Sequence, residues 1–397
     1  MRLALVAHVA HLAHVAHVAH AAFVALGLAV FAATAQPQVL LDFSAQEKAR
    51  IASHGPWPPA AARDPANRAD GRPAAVAWGR QLFFDTRLSA SKRRSCASFH
   101  QPAQAFQDGR LTARALADGR PGPRNTPSLL DAAQHRWLGW DGAHDSLWAA
   151  SLMPLLADAE MAQTTAGLAA RVRADAGLRR GYRTAFGSRL PADDEAVLVD
   201  VAKALAAYQA TLQSPRTAFD VFRDALVRGD RRAAGRYPVA AQRGLKLFIG
   251  DARCSVCHAG PVFSNGEFAD IGVPFFVPGG VDTGRHGGLH KLQSSRMNRL
   301  GAFNDAGAAD PRAVSTRHVL IEPRHFGEFR VPGLRQLLHT APYMHNGSLR
   351  TLGDVVQHYS ELDEERLHAD GERILRPLKL SPDQAADLLA FLRSLSR

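Results

Sequence analysis

The sequence predicts an all-α protein built as two similar domains in tandem, with long loops. Three observations carry this expectation. Apolar residues recur at three- and four-residue spacing in one segment after another, and no succession of alternating apolar and polar runs accompanies them. A glycine-led segment that ends in cysteine and histidine occurs at residues 79–100 and again at 244–258. The length, 397 residues, suits two ordinary domains with a core each.

Taken in chain order, residues 1–35 begin Met1-Arg2 and continue almost entirely in Ala, Val, Leu and His. The apolar run 21–33 leads into Ala33-Thr34-Ala35, a small-x-small cleavage site before Gln36, which predicts a signal peptide over 1–35 and an exported protein. An uncleaved membrane anchor is the alternative; no other stretch could span a bilayer. His8, His11, His14, His17 and His20 recur every third residue. They can be read as a Zn or Cu tract, or as neutral residues inside an elongated Ala/Val signal segment, the reading favoured here. Residues 36–73 are rich in Pro, Ala and Arg and predict a wrapping arm with little regular structure. The first domain, 74–232, has helical spacing at 80–84, 166–185 and 195–213. A break at 228–237 precedes the second domain, 233–397, helical at 238–248, 355–362 and 382–395. The last of these opens Ser381-Pro382-Asp383, like a capped start. Residues 260–332 are Gly-rich and without pattern, the mark of a functional loop or a cofactor-wrapping segment.

Composition narrows the function. With 46% hydrophobic and 21% charged residues, collagen-like, coiled-coil and wholly disordered chains are excluded. Lys and Arg number 48 against 37 Asp and Glu, a net charge of +11, and only six of the 48 are Lys. The arginines are interleaved with acids rather than clustered, which argues against a nucleic-acid partner. A basic surface could still steer an acidic protein partner.

The three cysteines are Cys96, Cys254 and Cys257, too few for a disulfide framework. Two lie in Cys254-Ser255-Val256-Cys257-His258. Thiols at i and i+3 followed by histidine are what c-type haem attachment needs: the sulfurs add to the two vinyl groups, and the imidazole reaches the iron. Structural zinc would want a second Cys pair, and there is none. Haem of this type is attached outside the bacterial cytoplasm, so the motif agrees with export and predicts a periplasmic protein. Cys96-Ala97-Ser98-Phe99-His100 has the same frame with Phe99 where the second thiol belongs. Alone it would pass for a chance cysteine near a histidine. The flanking Gly79 to Asp85, matching Gly244 to Phe248, marks it as a duplicate. One thioether through Cys96 with His100 as axial ligand is feasible, and so is a non-covalent haem. The fold expectation thereby becomes two cytochrome c-like haem domains.

Further segments carry a resemblance. Leu82-Phe83-Phe84-Asp85-Thr86-Arg87-Leu88-Ser89, Pro123-Arg124-Asn125-Thr126-Pro127-Ser128-Leu129 and Gly139-Trp140-Asp141-Gly142 come first. Pro154-Leu155-Leu156 leads to Glu160-Met161. Phe329-Arg330-Val331-Pro332-Gly333-Leu334-Arg335 and Thr340-Ala341-Pro342-Tyr343-Met344-His345-Asn346-Gly347 complete the set. In this order, over residues 74–396, the chain resembles the bacterial di-haem cytochrome c peroxidases and their MauG-like relatives. The resemblance implies two haem c groups, an N-terminal one where H2O2 reacts and a C-terminal electron reservoir. It makes His100 and His258 the proximal iron ligands and Glu160 the distal carboxylate. A carboxyl group in an apolar pocket can move a proton between the peroxide oxygens. Trp140 would relay oxidising equivalents between the haems, and Asn125 with the carbonyls of Thr340 and Pro342 would bind Ca²⁺, a cation suited to oxygen ligands.

Two features point to the MauG-like branch. No histidine occurs between His100 and His135, so the loop that closes the resting site in classical members lacks its ligand. Tyr359 falls where classical members place a Met ligand, and a Tyr ligand lowers the iron potential; His358 and Met344 are its rivals. Ala150 departs from the Gln that MauG-like members carry in the distal pocket. The expected function is a periplasmic MauG-like peroxidase that oxidises a partner protein or redox carrier. The alternatives are a classical peroxidase fed by a small cytochrome, and a non-catalytic electron-transfer protein whose first haem site has decayed.

Overall fold

Capping side chains set many of the helix starts in this chain. The computed structural model describes residues 39–60, 63–113, 122–274, 276–277, 280–365, 370–371 and 374–397, so the predicted signal peptide and its histidines lie outside the described residues. The predicted arm is not without regular structure. Ser44 and Glu47 form a reciprocal capping box that starts α1 (Ala45–Ser53), and Phe43 and Ile51 are buried beside it. α2 (Pro73–Phe84) begins with Pro at its first turn, and Ser146 caps α3 (Leu147–Leu156). The single helix expected at 166–185 is two. Asp175 ends α4 (Thr165–Ala174), and its side chain accepts from Leu178 N at 2.9 Å to start α5 (Ala176–Phe186).

α6 (Asp194–Gln209) is buried at every position from Val197 to Gln209. α7 (Ala218–Val227) ends where the predicted break begins, the one-turn α8 (Arg231–Ala234) lies inside the break, and α9 (Val239–Ile249) follows. The supposedly patternless stretch 260–332 holds α10 (Arg285–Ser294) and α11 (Ala313–His318). It also contributes Phe268–Ala269, which pairs antiparallel with Phe329–Arg330. α12 (Leu352–Ser360) and α13 (Pro382–Arg393) close the chain, the latter capped by Ser381 as expected. The described residues are therefore mostly helical, with a few two-residue strands.

Two large hydrophobic cores result. One runs from Ala69 to Tyr208 through Phe83, Trp148 and Tyr182, with Cys96 and Phe106 packed on it. The other joins Phe43 and Ile51 to Phe219, Phe248, Phe263 and Phe391, with Cys254 packed on it. Each is built on one tight helix crossing. A Cβ at Gly79 would stand 1.9 Å from the Ala204 carbonyl oxygen on α6, and a Cβ at Gly244 would stand 1.9 Å from the Asp387 oxygen on α13. Glycine is what lets the backbones meet. Phe83 then packs on Tyr208 at 5.2 Å between ring centres, and Phe248 on Phe391 at 4.9 Å. Downstream of each crossing helix a short 3₁₀ turn carries the cysteine, Cys96–Ser98 or Cys254–Val256.

Candidate functional site

The two cysteine-histidine turns present their imidazoles alike. His100 Nδ1 bonds the Phe106 carbonyl at 3.0 Å, and His258 Nδ1 bonds the Phe263 carbonyl at 3.0 Å. Phe106 and Phe263 both hold left-handed backbone, φ +58° and +57°, which turns their carbonyls back toward the histidine. A carbonyl can only accept, so Nδ1 carries the proton and Nε2 keeps its lone pair for a metal. Burial lowers the pKa of both rings, against the carbonyl bonds and, for His100, the charge of Asp108. Neutral imidazole is the form that binds iron.

Around His258 lies a cavity of about 630 Å³, walled by Phe248, Val262, Leu334 and Leu392 among others, that also takes in Cys254, Cys257, Met344 and Tyr359. Burial pushes the Cys254 thiol up to about 12 and raises the Tyr359 phenol, to which the two thiols add. Of the rival ligands, Met344 lines the cavity. His358 does not; its Nε2 donates to the Ile271 carbonyl at 2.9 Å. Arg330, unnoticed as a site residue from sequence, reaches the same cavity. Its Nη1 is buried without a hydrogen-bond partner among the described residues, and burial lowers its pKa to about 10. A buried guanidinium of this kind calls for an anion. Paired thiols, an imidazole with a free Nε2, apolar walls and an unpaired guanidinium are what a haem with its propionates requires, so the residues present fit the group.

Trp140, Asn125, Thr340 and Pro342 line this cavity too. Trp140 Nε1 donates to the Asn125 carbonyl at 2.8 Å. The Asn125 side-chain amide donates to the Arg110 carbonyl at 2.6 Å, which directs its Oδ1 the other way. Gln107, 2% exposed, donates its amide to the His339 and Ala341 carbonyls at 3.2 and 3.1 Å, on either side of Thr340. Among the described residues no three His, Cys, Asp or Glu side chains group as a metal site; a cation here would rest on neutral oxygens.

At the first turn, burial and the nearby Glu160 carboxylate raise the Cys96 thiol to about 12. Glu160 itself is partly buried and its pKa is raised by burial. Phe99 is 7% exposed, in the position of the missing thiol. The structure thus brings Glu160 close to Cys96, and it groups Trp140 and the three expected cation ligands with Tyr359 and the second haem motif. Arg330 was missed because arginine usually marks surface; its place inside the apolar string Phe329-Arg330-Val331 was the available signal.

Comparison with known proteins gives a consistent result. Residues 73–230 match the family model described as di-haem cytochrome c peroxidase. The methylamine utilization protein MauG of Methylorubrum extorquens is 37% identical over 324 residues, 81% of this chain and 78% of its own. The cytochrome-c peroxidase IdrP1 of a Pseudomonas species (strain SCT) is 32% identical over 335 residues, 81% of this chain and 80% of its own. A MauG-like protein associated with microbial copper homeostasis superposes with a TM-score of 0.62 at 27% identity, covering 86% of this chain and 95% of its own.

Proposed function

The chain belongs to the di-haem cytochrome c peroxidase family, a peroxidase with two haem c groups that reduces H2O2 with electrons from a redox partner, and we propose that it works in the MauG manner. The two cores are read as tandem cytochrome c-like domains, expected over 74–232 and 233–397, with Phe43, Ile51 and Phe219 from the earlier chain completing the second; the paired glycine crossings and matching histidine geometry support this. The N-terminal features and the haem motif support export to the periplasm. Among the described residues no helix is long and apolar enough to cross a membrane.

When bound, haem supplies the redox-active iron at each site. Cys254, Cys257 and His258 would hold the second group, with the Arg330 guanidinium available to a propionate and the Tyr359 phenol to the iron. Cys96 and His100 would hold the first. Peroxide reduction takes two electrons and two protons to yield two waters. Glu160 takes the proton from one peroxide oxygen and delivers it to the other; its raised pKa suits a group that must both accept and return a proton. Ala150 offers no second donor there, so Glu160 acts alone. Trp140 passes single electrons between the sites. Asn125, Thr340 and Pro342 bind Ca²⁺ through neutral oxygens. The basic surface steers an acidic partner protein or redox carrier.

The observation that carries the MauG assignment is Tyr359, whose phenol enters the cavity of Cys254, Cys257 and His258 while His358 is tied to Ile271. Tyr359→Phe should change the electron-resonance signal of the second haem and raise its potential. An unaltered signal assigns the ligand to Met344. Fast peroxide turnover with a reduced small cytochrome, without modification of a partner protein, would place the enzyme with the classical peroxidases instead.

A further inference from the structure

We propose that fixed cations over three of the tryptophans keep oxidising equivalents off those rings and leave Trp140 as the indole the protein permits to be oxidised. The inference rests on the relay role read for Trp140 above. All five tryptophans lie in the described residues, and their surroundings differ in kind. Arg285 Cζ stands 4.5 Å from the Trp137 ring centre, Lys203 Nζ 5.4 Å from that of Trp148, and Arg335 Cζ 3.7 Å from that of Trp57. Trp148 and Trp78 also hold a buried Nε1 with no acceptor among the described residues. Trp140 has no cation over its face among the described residues, and its Nε1 donates to the Asn125 carbonyl at 2.8 Å; Trp57 also has a carbonyl acceptor, Ser214 at 2.9 Å, but lies under Arg335.

A cation is attracted to the electron-rich face of a neutral indole. Removing one electron leaves a positive ring, and the same contact becomes a repulsion, stronger in a poorly polarisable interior than in water. A carbonyl on Nε1–H does the reverse: its oxygen, accepting the hydrogen bond, stabilises the positive ring. Each passage therefore takes one electron from Trp140 and returns one, the Nε1 proton stays in its bond to Asn125, and the residue is unchanged.

The three guards are unequal. Lys203 is paired with Asp305 at 2.6 Å and Arg335 with Asp220 at 2.8 Å, so part of their field is cancelled. Arg285 is 3% exposed, bonds the Gly142 carbonyl at 2.9 Å, and has no carboxylate within ion-pair distance among the described residues, its charge being offset only by the more distant Asp141, Glu267 and Glu328. It sits between Trp137 and Phe268. Trp137 is only three residues from Trp140, so the strongest guard stands at the ring nearest the relay in sequence.

The test treats the holoenzyme with excess H2O2 and no reductant, then maps oxygen added to tryptophan by peptide mass. In the wild type, Trp140 should be oxidised well above Trp137, Trp148 and Trp57. Arg285→Gln keeps a donor to Gly142 and removes the charge; oxidation at Trp137 should rise at least about tenfold. A folded Arg285→Gln enzyme with Trp137 unchanged overturns the proposal. So does a wild type in which Trp137 or Trp148 is oxidised as much as Trp140, a result that needs no variant to fold. Failure of the relay role itself reads differently: Trp140→Phe would then leave electron exchange between the two haems at the wild-type rate.

Discussion

Glu160 is the residue whose environment sets a measurable pH response. Burial raises its carboxyl pKa, so the ionised form that accepts the peroxide proton appears only at higher pH than for a free glutamate. The rate of the peroxide reaction should therefore climb with pH through that raised value and level above it. Glu160→Gln should lower the rate by at least about a hundredfold and abolish the climb, with the haem absorption spectrum intact; stopped-flow traces over pH 4–8 decide this. The same shift costs stability once the pH passes the ordinary carboxylate value, because the buried charge is disfavoured in the folded state only. The glutamine variant should accordingly melt no lower than the wild type at pH 7. Glu160 was legible in sequence through its setting after Pro154-Leu155-Leu156. Arg285 was not, because its functional character comes from being buried, which no local pattern announces; Arg330 had only its place in the apolar string Phe329-Arg330-Val331 to mark it.

At the scale of elements, the two glycine crossings are the parts that bring each cysteine-histidine turn to its core. Gly79→Ala or Gly244→Ala must push a helix off a backbone oxygen, which no side-chain rearrangement can relieve, and should cost at least about 3 kcal/mol. Thermal unfolding of the holoenzyme checks this; a variant within about 1 kcal/mol of wild type would mean the helices slide apart at little cost. Most long helices were readable from periodicity because each buries one face. α1 was not, since it is short and its start depends on the reciprocal Ser44 and Glu47 bonds. The break at Asp175 was hidden because the apolar spacing runs through it, and a single carboxylate on Leu178 N decides the matter.

At the scale of the whole molecule, the two haem motifs share a 3₁₀ turn and a histidine bonded to a carbonyl, and differ in thiol count, Phe99 standing where the second motif has Cys257. Intact mass under denaturing conditions, on enzyme matured in a host that attaches c-type haem, should show two haems, the first held by Cys96 alone. A single retained haem would mean that the first group is not covalently held. Phe99→Cys should then restore its retention. The sequence made this pairing visible because cysteine and histidine are rare enough to be noticed twice in one frame. It left open how the arm relates to either core, since contacts across two hundred residues leave no local trace.

That arm has a consequence for the order of assembly. Leu41 N bonds the Gln242 side chain at 2.9 Å, Arg50 bonds the Ile249 carbonyl at 2.6 Å, and His54 stacks on Phe263 with ring centres 4.6 Å apart. The residues that precede the first core in the chain are thus finishing pieces of the second. During vectorial synthesis or export the first core can close while this leader waits, untethered, for partners some two hundred residues behind it. Pairings of such long sequence separation are slow to form. The segment that emerges early is therefore among the last to settle, and it closes over the Cys254 turn only once the rest of the chain has arrived.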